Sequence, residues 1–146
     1  MIVSAVLDAA AFDVIDTGDG APLRQLLRSV MERGGDVRCA AVTLAEVCRG
    51  PGRTRRVEVA VTRDRGGQRV LVIPTDERLA KLVGTVLHAA SRSSNAIADA
   101  HVVAVCAGVD AAVVITSDPE DINELATAIP GTRIITRRPQ EIASRR

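Results

Sequence analysis

Short apolar strands alternating with helical stretches predict an α/β protein whose parallel sheet is covered by helices. The apolar β-rich runs are too short to be helices, and the stretches between them carry helical periodicity. The connecting chain is also long enough for each strand to cross back parallel to the last.

The first strand is expected over 2–7 (IVSAVL). The opening MIVSAVLDAAAF has no basic residue ahead of its apolar run and meets an acid at Asp8, so it is read as a strand and not as a secretory leader. Residues 20–33 place Leu23, Leu26, Leu27 and Val30 on one helical face and end at Gly34-Gly35, a plausible C-cap. A second strand follows over 37–42 (VRCAAV). Within 49–69, VEVAV alternates in part like an edge strand. A helix using Val57, Ala60, Val61 and Asp64 is favoured there, because a strand would leave too little chain to cross to the next one. The third strand covers 69–73 (RVLVI), and a helix over 76–90 presents Leu79, Leu82, Val83 and Leu87. The helix expected over 94–107 (SNAIADAHVVAVCA) is apolar on most faces and so packed on both sides. Strands over 112–115 (AVVI) and, with less of the pattern, 132–135 (TRII) complete a sheet of four to five strands.

A chain of 146 residues, 47% of them hydrophobic, has enough apolar material for one folded domain spanning 1–146. Phe12 is the sole aromatic residue, which excludes nucleobase stacking on a row of aromatic platforms. The net charge of +1 means that a polyanion would be held by local patches. Cys39, Cys48 and Cys106 show no CxxC spacing and read as small buried hydrophobes in a reducing compartment. No apolar run reaches the roughly 20 residues that span a bilayer, so no membrane association and a cytoplasmic location are expected.

Asp8 closes the first strand and Asp118 follows the fourth by two residues. Ligands in an open parallel sheet bind at the carboxyl ends of the strands, so these acids are expected to meet across the crevice. Glu46 follows the second strand, with Thr43 expected to cap a short helix. Asp99 sits in an apolar helix where no packing reason calls for an acid, and Asp121 trails Asp118 by one helical turn. Converging carboxylates repel one another and lose hydration, an arrangement that a divalent cation neutralises. All-oxygen ligands point to magnesium or manganese, which suits phosphodiester hydrolysis by an activated water. Each acid also has a structural alternative: Asp8 as a turn cap, Glu46 as part of a capping box, Asp99 as a paired or solvated acid. Asp118 can serve as the N-cap ahead of Pro119, and Asp121 as a favourable first-turn acid.

The ordered set VLDAAAF, TLAEV, NAIADAHVVAVC and TSDPEDI resembles the PIN-domain nucleases, specifically the VapC-type toxins, over essentially the whole chain. The resemblance implies a three-layer PIN-like domain acting as a metal-dependent endoribonuclease, the toxin of a toxin-antitoxin pair. It implies Asp8, Glu46, Asp99 and Asp118 as catalytic metal-site acids for magnesium or manganese, with Asp121 beside the ion and Thr116 orienting a ligand. It also implies a cognate antitoxin, a toxin homodimer, and a heterotetramer or larger complex of the two. One departure stands out: Ala9 and Ala10 replace the hydroxyl residue that often follows the first acid, which predicts a weaker hold on the metal. The alternative is a catalytically weak PIN-like module that mainly binds an antitoxin or RNA.

Between 49 and 69 lie seven arginines against two acids, Glu58 and Asp64. Arg49, Arg53, Arg55 and Arg56 begin just after Glu46 and are candidates to hold an RNA phosphate backbone without reading bases; the other reading is a solvated helix face. His88 and His101 make no catalytic case. A haloacid-type phosphatase would need a second acid where Ala10 stands, a receiver domain a late lysine where the only one is Lys81, and a P-loop a glycine-rich turn that DAAAFD is not.

Overall fold

The computed structural model describes residues 1–62 and 69–143. Five strands, β1 (Val3–Leu7), β2 (Val37–Ala40), β3 (Val70–Ile73), β4 (Ala111–Ile115) and β5 (Arg133–Arg137), form one parallel sheet in the order β3-β2-β1-β4-β5. Eight α-helices accompany them among the described residues: α1 (Ala9–Val14), α2 (Ala21–Glu32), α3 (Ala41–Val47), α4 (Pro51–Thr62), α5 (Glu77–Ala89), α6 (Ile97–Cys106), α7 (Pro119–Ala126) and α8 (Pro139–Ala143). The α/β expectation holds, and the helix favoured in the arginine-rich stretch is α4. Arg63, Asp64 and Arg65 lie outside the described residues.

Alternation along β1 divides the core into two. Ala5 and Leu7 face a cluster with Phe12 of α1, Leu23 and Leu27 of α2, Val47 of α3 and Val57 of α4. Val6 faces the other cluster, with Val83 and Val86 of α5, most of α6, and Ile122 and Leu125 of α7. A strand buried on both faces has no polar side to offer, which explains the continuous apolar runs. Helix α6 is buried from Ala100 to Cys106, as its all-round apolarity predicted. No helix among the described residues is long and apolar enough to cross a membrane.

Two helix ends use the same device. After α2, Gly34 takes a φ of +88° and its N–H donates to the Met31 carbonyl, while the Gly35 N–H donates to that of Val30. This is a Schellman cap, and Gly35 is further required because a Cβ there would come within 2.0 Å of the Val3 carbonyl oxygen. After α5 the same pair of bonds forms, from Ser91 to His88 and from Arg92 to Leu87, but the left-handed residue is Ser91, at φ 53°. A side chain in that conformation costs about 1 kcal/mol relative to glycine.

Some boundaries differ from the expectation. The second strand ends at Ala40 instead of residue 42, because the chain turns at Ala40 (φ −71°, ψ 143°) straight into α3. Thr43 is therefore inside the first turn of α3 and does not cap it; its hydroxyl is fully buried and has no hydrogen-bond partner among the described residues.

Leu27→Ala, which empties a fully buried position at the centre of the first cluster, is expected to cost about 3 kcal/mol in a denaturant melt. Ser91→Gly is expected to raise stability by about 1 kcal/mol in the same measurement, by relieving the left-handed turn.

Candidate metal centre

The strand order places β1 beside both β2 and β4, and the connections leave β1 and β4 in opposite directions, so a crevice opens at their carboxyl ends. Leu7 pairs with Ile115 at the last register position, and the Asp8 N–H donates to the Ile115 carbonyl at 3.0 Å. Asp8 and Thr116 are therefore neighbours across the sheet.

One hydroxyl joins the two strand ends. Thr116 Oγ1 donates to Asp8 Oδ2 at 2.7 Å and accepts from the Asp118 N–H at 3.0 Å. The other oxygen of Asp8 accepts from the Ala9 N–H at 2.8 Å, so the carboxylate is held on both sides. Thr116 is fully buried, and its hydroxyl meets the carboxylate of Asp8 from behind. It also supplies a hydroxyl to Asp8 that Ala9 and Ala10 cannot.

Asp8, Asp99 and Asp118 each bring a carboxylate oxygen to within 4.8 Å of the others, running from buried Asp8 through half-buried Asp99 to exposed Asp118. Asp118 is the N-cap residue of α7, with Pro119 next, yet its side chain makes no capping bond. None of the three is in an ion pair among the described residues. At such spacing and an effective dielectric of about 20, each pair of negative charges repels by about 3 kcal/mol. Burial pushes the Asp99 carboxyl up to about 6, and the charges of Asp8, Asp118, Asp121 and Glu46 push the same way.

Glu46 stands on α3 at the edge of this group. Its carboxyl is raised by burial first and by Asp8 next, against the pull of Arg49. It is within electrostatic reach of Asp8 and Asp118 but is not one of the three that share the 4.8 Å cluster. Asp121, one turn into α7, also lies outside the three; its Oδ1 is 3.4 Å from Arg92 Nη1. The donor set, three carboxylates with no cation among them, fits a hard divalent ion.

A shallow pocket lined by Ala9, Asp13, Glu46, Val47, Arg49 and Arg53 adjoins the acids. The four candidate arginines are not equivalent there. Arg53 pairs with Asp13, and Arg56 Nε lies 3.0 Å from Asp16 Oδ2, so both tie α4 to α1 and the turn after it. Among the described residues Arg49 Nε reaches the Glu46 carbonyl at 3.3 Å, and Arg55 is exposed. Neither the α1 partners nor Arg92 was legible beforehand, since nothing in the sequence pairs residues 40 or 29 positions apart. His101 is buried, and its Nδ1 lies 2.7 Å from the Ile97 carbonyl, away from the chemistry.

The fold has counterparts among solved structures. The structure of FitAB bound to an IR36 DNA fragment superposes with a TM-score of 0.57 at 20% identity, covering 92% of this chain and 94% of that one. VapBC2 from Rickettsia felis, bound to a DNA fragment from their promoter, superposes with a TM-score of 0.59 at 10% identity, covering 92% and 98%. No curated protein matches in sequence. The profile of the PIN domain, a nuclease family, matches residues 5–127, a span that contains Asp8, Glu46, Asp99 and Asp118, and the chain belongs to the PIN-domain family.

Proposed function

We propose that this chain is a single-domain, metal-dependent endoribonuclease, acting in the cytoplasm as the toxin of a toxin-antitoxin pair. The observation that carries the reading is the set Asp8, Asp99 and Asp118, three carboxylates within 4.8 Å that are in no ion pair among the described residues. Magnesium or manganese held there would acidify a water and stabilise charge on a phosphoryl group. Asp8, Asp99 and Asp118 are its ligands in this reading, with Asp8 fixed in orientation by Thr116 and Ala9. Glu46, at the rim with a raised carboxyl, orients the attacking water or takes its proton. Arg49 and Arg55 hold phosphates beside the scissile one, while Arg53 and Arg56 chiefly fix α4 on α1.

The partners follow by analogy. FitAB and VapBC2, two of the similar structures, are each bound to DNA, and a cognate antitoxin with toxin dimers in a heterotetramer or larger assembly is the corresponding proposal here. The rival reading, a catalytically weak binding module, draws on the alanines at positions 9 and 10. Against it stands the Thr116 hydroxyl, which gives Asp8 a hydrogen bond from the neighbouring strand end.

Purified, partner-free protein is expected to cleave a mixed RNA pool with magnesium or manganese and not with chelator. Asp99→Asn should lower the rate by at least about a hundredfold, since an electrostatic centre loses a ligand. Metal-dependent cleavage surviving in that variant would sink the mechanism. Arg49→Ala and Arg55→Ala are each expected to weaken RNA binding at every sequence and to reduce the salt dependence by about one phosphate contact.

The raised carboxyl of Asp99 sets a pH dependence in the metal-free protein. A folded-state value of about 6 against 3.8 unfolded means that the folded form binds the proton more tightly. Stability contributed by this proton is therefore gained as pH falls from about 7 to about 4 and lost again on the way up. Asp16 and Asp36, held low by Arg56 and Arg38, act in a separate window: their contribution is present above their ordinary value and lost below it. Melting temperature without metal should thus rise on mild acidification, whereas with saturating magnesium it should fall, because protons displace the ion. Asp99→Asn should raise the metal-free melting temperature at neutral pH and abolish the gain from magnesium.

A further inference from the structure

We propose that Arg92 is a positioning residue that holds Asp121 away from the metal and so limits the acid centre to a single divalent cation. The inference rests on the metal-binding reading above and concerns how many ions the site accepts.

Asp121 has the address of a ligand. It follows Asp118 by one helical turn, on the same side of α7, and is close enough to Asp99 to add to the repulsion there. Yet it is absent from the cluster that Asp8, Asp99 and Asp118 form. Its carboxylate turns instead to Arg92, whose Nη1 lies 3.4 Å from Asp121 Oδ1 and 3.1 Å from Glu124 Oε2. Those two acids are again one turn apart on α7, so a single guanidinium spans both.

The backbone commits Arg92 to this place. It is the residue after Ser91, and its N–H closes the Schellman cap of α5 on the Leu87 carbonyl. Ser91 supplies the left-handed conformation without being glycine, the only positive φ at a non-glycine position among the described residues. A strained turn of that kind persists when surrounding contacts over-determine it. Here it directs a cation from the α5 layer onto the acidic face of α7, with the Arg92 side chain 30% exposed and so partly shielded from water.

The charge balance gives the pairing its effect. Asp8, Glu46, Asp99 and Asp118 carry four negative charges when ionised, and one divalent ion leaves two of them uncompensated. That surplus attracts a second ion, but a second ion needs carboxylate oxygens of its own. Asp121 is the acid in electrostatic reach of Asp99 that is not among the four. With Arg92 beside it, Asp121 faces a fixed positive charge, and a cation approaching it meets repulsion in place of a free ligand.

The test counts ions instead of cleavage: manganese is titrated into the purified full chain, and free ion is followed by its electron paramagnetic resonance signal. The parent is expected to bind one ion. Arg92→Met is expected to bind two, the second about tenfold more weakly as it shares the field of the first. Arg92→Lys, which keeps a cation beside Asp121, should return to one, as should the double variant Arg92→Met with Asp121→Asn. Arg92→Gln supplies the same loss of charge if Arg92→Met does not fold. Two ions in the parent, or one ion in a folded Arg92→Met or Arg92→Gln variant, would overturn the assignment while leaving the metal centre standing. A parent that binds no manganese removes the metal reading and this inference together.

Discussion

The parallel register of β1 with β4 is the constraint on which the rest of the molecule depends. It runs unbroken from Val3 opposite Ala111 to Leu7 opposite Ile115. Asp8 and Thr116 leave the sheet side by side because their strands end level, and Asp118 follows on the same crevice. A one-residue slip would exchange the faces of every side chain on one strand. It would also separate Asp8 from the Thr116 hydroxyl. The two hydrophobic clusters that lock this register thus also set where the acids stand.

The cost of the site falls on the same elements. Three carboxylates held within 4.8 Å oppose folding, and the Asp99 carboxyl shows the strain most clearly. Asp99 cannot swing away, because α6 is buried from the next residue to its end. The rigid apolar helix fixes an acid where an acid is electrostatically unwelcome, and the pairing of β1 with β4 brings the others to meet it. Stability is spent locally on holding the three carboxylates together.

Much of this was legible in the sequence, for physical reasons. Asp8 and Asp118 could be placed because a strand that ends in an acid identifies which end of the sheet the acid occupies. Asp99 stood out because an acid in an all-round apolar helix has no packing role. Gly34-Gly35 marked the end of α2 because glycine carries no steric penalty in the left-handed region. What escaped the reading has equally specific causes. Thr43 looked like a cap, but the turn into α3 comes early, at Ala40, and leaves the threonine inside the helix. Ser91 gave no sign of a left-handed turn because serine seldom adopts one. The attachment of Arg53 and Arg56 to Asp13 and Asp16 depends on how α4 lies against α1, which no local pattern encodes.

Thr116 and Asp8 are joined across 108 positions of chain, and that distance has a consequence for synthesis. Ribosomes deliver the chain from its N-terminus, so β1, β2 and β3 emerge well before β4. Until β4 inserts beside β1, Asp8 has no Thr116 and Asp118 has no crevice to enter. The group of acids therefore comes together only after β4 has been made and has inserted beside β1.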